Sequence, residues 1–225
     1  MKKFIKIIVI AFGLFILFSL SFRLANADET ASTKLSVWGD YLSKLFTSEK
    51  SDVSKNDIVL MGNTGSVTKY DIAIAKQFII VRDQDTSAAE TSAAETSAAE
   101  TSAAETEAIQ YMEKREALYQ AAIKNGFTVT DEEIKSYLDE LKKTLEQADN
   151  KDDVLAIISK FDSEEAYWAF EYTVYQKDLP IQKYVASLEQ EYFKGNTTSS
   201  DADWVNYFEK LKTQLAEDEN FQYVK

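Results

Sequence analysis

Ala-Ile-Gln-Tyr-Met-Glu begins at Ala108 a stretch that ends in Leu141-Lys142-Lys143 and carries Asn125-Gly126-Phe127-Thr128-Val129-Thr130-Asp131-Glu132-Glu133-Ile134 at its centre. The spacing predicts two helices joined by a tight corner. The first runs through Ile109, Met112, Leu118, Tyr119 and Ala122, and Asn125-Gly126 ends it because glycine accepts the left-handed conformation of a helix terminus. In the second, Thr130 caps free amides while Glu133 reaches back to the Thr130 amide, a reciprocal capping box. Val129 and Ile134 occupy the positions of the matching hydrophobic staple. Glu132 and Glu133 meet the positive end of the helix dipole.

The same grammar occurs earlier, where Val67-Thr68-Lys69-Tyr70-Asp71-Ile72 repeats staple, cap, acid and apolar residue in order, with Asp71 a shorter stand-in for Glu. Before it, Ile58-Val59-Leu60-Met61 reads as a buried strand and Gly62-Asn63-Thr64-Gly65 as its turn. A single strand cannot satisfy its own backbone. Its expected partners are Ser66-Val67 and the terminal Phe221-Gln222-Tyr223-Val224, so the fold expected is mainly α with a small β pairing between 58–61 and 221–224. One proline and six glycines in 225 residues favour long helices over many short strands.

Residues 70–82 form the next expected helix, with Ile72, Ala75, Phe78 and Ile79 inward. Four identical Thr-Ser-Ala-Ala-Glu units occupy Thr86 to Glu105. A five-residue period advances about 140° per unit on a helix, so the alanines spiral instead of forming a stripe. The block is expected to be a marginal, exposed helix or coil acting as a spacer. After the corner, Ile134, Tyr137, Leu138, Leu141 and Leu145 make one stripe, and Val154, Ile157, Ile158 and Phe161 another. Asp162, with Glu165 three residues on, is the expected cap of the next helix. That helix has two apolar faces: Tyr167, Phe170 and Val174 on one, and Trp168, Tyr172, Tyr175 and Leu179 on the other, with Glu171 and Asp178 between them. Pro180 predicts a kink. Beyond it Ile181, Tyr184, Val185, Leu188 and Tyr192 continue to Gly195-Asn196, and Trp204, Phe208, Leu211 and Leu215 mark a last helix.

The chain starts Met1-Lys2-Lys3-Phe4-Ile5-Lys6, runs apolar from Ile7 to Leu20 and reaches Ala25-Asn26-Ala27. A basic start, an apolar middle and an A-x-A site read as a signal peptide over residues 1–27, with cleavage expected before Asp28. No cysteine follows to carry a lipid. Retained, the segment would be a membrane anchor, although its apolar run is short for a span. Its removal takes away Lys2, Lys3, Lys6 and Arg23 and moves the net charge from −13 to −17, which repels nucleic acid and anionic lipid. Residues 28–56 read as an amphipathic helix (Leu35, Trp38, Tyr41, Leu42, Leu45, Phe46) and a polar linker. Because that helix lacks a basic polar face, docking on the domain is favoured over lying on a membrane.

Histidine and cysteine are absent throughout. This removes Ser-His-Asp and Cys-His nucleophile systems, the usual zinc sites, and any disulfide. No glycine-rich phosphate loop and no basic aromatic patch occurs. Asp149-Asn150-Lys151-Asp152-Asp153 lacks the glycine and terminal glutamate of an EF-hand and reads as a connecting turn. No catalytic, cofactor-binding or metal-binding residue is expected, and no cofactor.

The order of strand, Gly/Asn turn, capped helix, helix ending in glycine and Val129-Thr130-Asp131-Glu132-Glu133 resembles the N-terminal chaperone domain of SurA- and PrsA-type extracytoplasmic foldases. Phe161-Asp162-Ser163-Glu164-Glu165 to Asp178-Leu179-Pro180-Ile181-Gln182-Lys183-Tyr184 is similar to the same domain. The resemblance covers roughly 56–194, rests on caps and packing residues, and places the helical domain at 57–225 with the repeat at 86–105 interrupting it. It implies a chaperone that holds unfolded secreted polypeptides outside the cytoplasm. The sequence departs from the family in lacking a parvulin module and its histidines, in the repeat, and in an Asn-Thr-Gly turn where Asn-Gly is usual. A peptidyl-prolyl isomerase label would describe relatives only. Trp168, Tyr172, Tyr175 and Leu179 are the candidate client-binding residues if their face is partly open; if it is closed, the last helix is the expected cover. The alternative function is a secreted structural or surface-interaction protein that uses the fold to bind one partner, and an enzyme acting through carboxylates comes third.

Overall fold

The computed structural model describes residues 29–47, 55–83, 98–148, 151–196 and 198–224. The signal-peptide reading at 1–27 and most of the repeat lie outside them. Seven helices and a three-stranded antiparallel sheet are described: α1 (Glu29–Thr47), β1 (Ile58–Met61), β2 (Ser66–Thr68), α2 (Lys69–Asp83), α3 (Ala98–Lys124), α4 (Asp131–Leu145), α5 (Lys151–Ile158), α6 (Glu164–Gly195), α7 (Asp201–Glu219) and β3 (Gln222–Tyr223). The fold is mainly α, as expected. No described helix is long and apolar enough to cross a membrane. The chain divides into two compact units, one of residues 1–47 and 130–176 and the other of 48–129 and 177–225.

In the first unit α1 packs on α5. Trp38, Leu42 and Leu45 are buried along the α1 stripe. Gly39 lets the helices touch, since a Cβ there would lie 2.8 Å from the Ile157 Cα. α4 starts at the expected capping box: Thr130 Oγ1 accepts from the Glu133 amide at 3.2 Å, and Glu133 Oε2 accepts from the Thr130 amide at 2.8 Å. Ile134, Leu138 and Leu145 are buried from the α4 stripe, and Val154, Ile157 and Ile158 from α5. The cap of α6 is Ser163, whose Oγ accepts from the Ala166 amide at 3.1 Å, and not Asp162. The helix begins one residue later than the Asp162 reading requires, at Glu164.

The second unit is built on the hairpin β1–β2, the helix α2 that leaves it, and α3, which packs on α2, β2 and α7. Thr68 and Asp71 form the earlier capping box: the Thr68 amide donates to Asp71 Oδ2 at 3.0 Å, and the Asp71 amide to Thr68 Oγ1 at 3.2 Å. Ile72, Ala75, Phe78 and Ile79 are buried as expected, with Ile74 and Val81 beside them. Of the residues expected in α3, Met112, Leu118 and Ala122 are buried, whereas Ile109 and Tyr119 are half-buried. Ala104, Ala108 and Arg115 are buried as well, outside that expectation. The small side chains among these let neighbouring helices approach. Ala104 belongs to the last repeat unit, and Glu105 beside it binds Lys76 at 2.6 Å. The end of the repeat is therefore part of the core, which corrects the expectation of a block without a buried residue. At Gly126 the backbone turns at φ 84° to end the α3 corner.

α6 runs from Glu164 to Gly195 as one helix with Pro180 inside it. The two units divide it between Gln176 and Lys177. This is the turn where Pro180, having no N–H, leaves the Gln176 carbonyl without its helical donor.

Candidate functional site

The four candidate client-binding residues do not form one open face. In the first unit Trp168 is 6% exposed and Tyr175 fully buried. α4 covers them: the Tyr137 ring lies 5.0 Å from that of Tyr175, and Lys142 Nζ sits 5.0 Å from the Trp168 ring centre. Trp168 Nε1 also donates to Glu164 Oε1 at 2.9 Å. Tyr172 is half-buried, with its phenol raised above its usual pKa chiefly by its hydrogen bond to Asp131. Leu179 is buried in the second unit. The other α6 face is closed as well. Tyr167 and Phe170 are buried, and the rings of Phe46, Phe161, Tyr167 and Phe170 interlock at 5.4–5.7 Å. Two apolar faces on one helix are here two packed faces.

Trp204 and Phe208 serve the second unit. Their rings stack at 5.4 Å, and Tyr192 packs against Trp204 at 5.4 Å. The α7 capping box, Ser200 with Asp203, was not read in the sequence, although Ser at the cap and an acid three residues on is the signal for one.

The strongest electrostatic feature is internal to the second unit. Arg115 and Asp178 are 4% and 2% exposed and paired, with Nη2 and Nε of the arginine 2.5 and 3.0 Å from Asp178 Oδ1. Burial pushes the Asp178 carboxyl above the usual carboxylate range despite the pull of Arg115, and the Arg115 guanidinium is held above its ordinary value by Asp178. Beside them Glu116, also buried, accepts from Lys177 Nζ at 2.6 Å and Gln120 Nε2 at 2.9 Å. Perturbed ionisation draws attention to a site, but side chains this enclosed are not presented to a substrate. Their role is packing.

What the second unit presents is its sheet. Strand order is β2-β1-β3, so the expected pairing of 58–61 with the terminal segment is present, with Leu60 opposite Tyr223 and Met61 opposite Gln222. The β1–β2 turn holds β3 in place through the end of α7. The Asn63 amide donates to the Glu219 carbonyl at 2.7 Å, and Asn63 Nδ2 to the Asp218 carbonyl at 2.8 Å. The Thr64 amide and hydroxyl donate to the Glu219 carboxylate at 2.8 and 2.5 Å. The extra threonine of the Asn-Thr-Gly turn thus has a structural task that its sequence context did not show. Gly62 is required by close approach, because a Cβ there would meet the Phe221 ring at 2.8 Å.

On this sheet Leu60 and Val67 are buried, whereas Ile58 is 39%, Met61 47%, Tyr223 65% and Val224 51% exposed. Those four are half of the eight large apolar side chains exposed among the described residues, so the exposure is concentrated on one small element. Isolated exposed apolar residues need no explanation, but a group does. Among the described residues no three His, Cys, Asp or Glu side chains are grouped to hold a metal ion. No protein-family model, curated protein or solved structure matches the chain.

Proposed function

We propose that this protein is an extracytoplasmic, chaperone-like protein that binds unfolded or extended polypeptide segments, with no isomerase activity of its own. The observation that carries the reading is the exposure of Ile58, Met61, Tyr223 and Val224 on one small sheet, with Met61 and Val224 on one face and Tyr223 on the other, which the Thr68–Asp71 box and the Glu219 anchor hold in place. Exposed apolar and aromatic side chains suit contact with chains of varied sequence. The similarity to SurA- and PrsA-type N-terminal domains supports the same reading, and so does a chain without histidine or cysteine. High negative charge keeps such a surface soluble.

Light scattering of a chemically denatured enzyme diluted into buffer tests the proposal. The protein is expected to suppress aggregation at near-stoichiometric amounts, without nucleotide or metal, and to leave proline isomerisation of a test peptide at its uncatalysed rate. Failure to suppress, together with tight binding of one folded partner, would move the assignment to the secreted surface-interaction class.

A further inference from the structure

Among the described residues the sheet of the second unit ends on β3, and the ladder fixes what its outer edge offers. The Val224 amide donates to the Val59 carbonyl at 2.9 Å. Hydrogen-bonded and non-hydrogen-bonded pairs alternate along an antiparallel ladder. Val59–Val224 belongs to the first kind, so Leu60–Tyr223 belongs to the second. The Tyr223 N–H and C=O therefore point away from β1, out of the sheet. Side chains alternate with period two, which puts Val59, Met61, Gln222 and Val224 together on the face opposite the buried Leu60 and Val67, with Tyr223 on the Leu60 side. A donor and an acceptor on one extended residue, flanked by an apolar face, make a template for another strand.

We propose that a basic and apolar extended segment of another polypeptide adds to the sheet along the outer edge of β3, pairing its backbone with the N–H and C=O of Tyr223. Its alternate side chains lie beside Gln222 and Val224, on the face that also carries Met61. This rests on the polypeptide-binding reading above and names where and how the segment is held. Main-chain pairing accounts for binding without strict sequence, since every segment carries the same backbone. Charge selects the occupant. Glu217 and Asp218 are exposed in the last helical turn of α7, ahead of β3, and the chain carries a net −13. Between two copies the like net charge opposes association, whereas a lysine-bearing segment meets opposite charge.

The test uses the full chain and fluorescein-labelled peptides of alternating valine and lysine, read by fluorescence anisotropy. Two peptides carry N-methyl groups on the amides of one edge or of the other. Methylation of one edge only is expected to weaken binding about tenfold, the equivalent of one lost hydrogen bond. Tyr223→Pro, which removes an outward amide that an edge strand can lose, should weaken the unmethylated peptide similarly. Tyr223→Ala keeps that amide and should bind better than the proline variant. A peptide with glutamate in place of lysine should bind less. If Tyr223→Pro does not fold, the methylated pair decides alone. Undiminished binding of both methylated peptides, with aggregation suppression intact, overturns strand addition and leaves the polypeptide-binding reading standing. No peptide binding and no suppression overturns both. A dimer in sedimentation velocity that Tyr223→Pro dissolves, with peptides inert, overturns this occupant in favour of a second copy.

Discussion

Replacing Arg115 with methionine keeps the length and volume of the side chain's stem and removes its charge. Asp178 is then left alone at 2% exposure, with Oδ2 already lacking a hydrogen-bond partner and Oδ1 losing both of its bonds. Breaking a buried pair from one side costs about 3–5 kcal/mol, most of it the uncompensated charge. Replacing both residues, Arg115→Met with Asp178→Leu, removes that charge and should recover all but about 1 kcal/mol. The sign of the pH dependence follows from Asp178. Its folded-state pKa is raised by burial, so between the unfolded value, about 3.9, and the raised one the folded state holds the extra proton. Stability contributed by this group is therefore present at low pH and lost as pH rises through that window. Without Arg115 the raised value climbs further and the window widens upward, so the penalty of Arg115→Met should be largest near neutrality and shrink towards pH 4. Urea unfolding at several pH values, with m checked for constancy, measures all of this. A single variant within about 1 kcal/mol of the parent at neutral pH, or a double variant no better than the single, would refute the reasoning.

Tyr175→Ser should lower stability by about 3–5 kcal/mol, because the ring is fully buried against Tyr137, and a mild effect in thermal unfolding would show that the α6 face is open. Gly126→Ala should cost about 1 kcal/mol from the left-handed backbone alone, since no atom lies near the added methyl group, and chemical denaturation reads it directly. Deleting one Thr-Ser-Ala-Ala-Glu unit leaves an identical unit before Thr106, so Ala104 and Glu105 are restored and the change should stay well under ~1 kcal/mol. Deleting all four removes both residues and should cost measurably more in the same unfolding assay.

Local grammar was legible wherever one short segment holds the whole signal. The boxes at Thr68–Asp71 and Thr130–Glu133 and the Gly126 corner are of this kind, as is the 58–61 pairing with the chain's last strand. Long-range partners were not. Asp178 was placed between two faces by its angle on the helix, but nothing in its neighbourhood names Arg115, 63 residues away. The same holds for Thr64 and Glu219, 155 residues apart. The alanine row of α3 escaped a reading that searches for large apolar side chains, because tight helix contacts favour small ones. The cover over the candidate face was not legible for a related reason. A helix's angular pattern tells which residues share a face, not which neighbour lies over it, and α4 supplied the cover through Tyr137 and Lys142. The exposed sheet was read only for its pairing, since alternation within four residues does not show which side is left uncovered.

We propose that this protein recognises the unfolded state of other polypeptides. Equilibrium binding to several unrelated proteins, each presented both native and as a reduced, alkylated, permanently unfolded chain, tests it most directly. Measurable, weak and salt-sensitive binding is expected to every unfolded chain whose net charge is positive, and none to the native forms. Equal binding to both forms, or binding to a single native partner with every unfolded chain ignored, would contradict it.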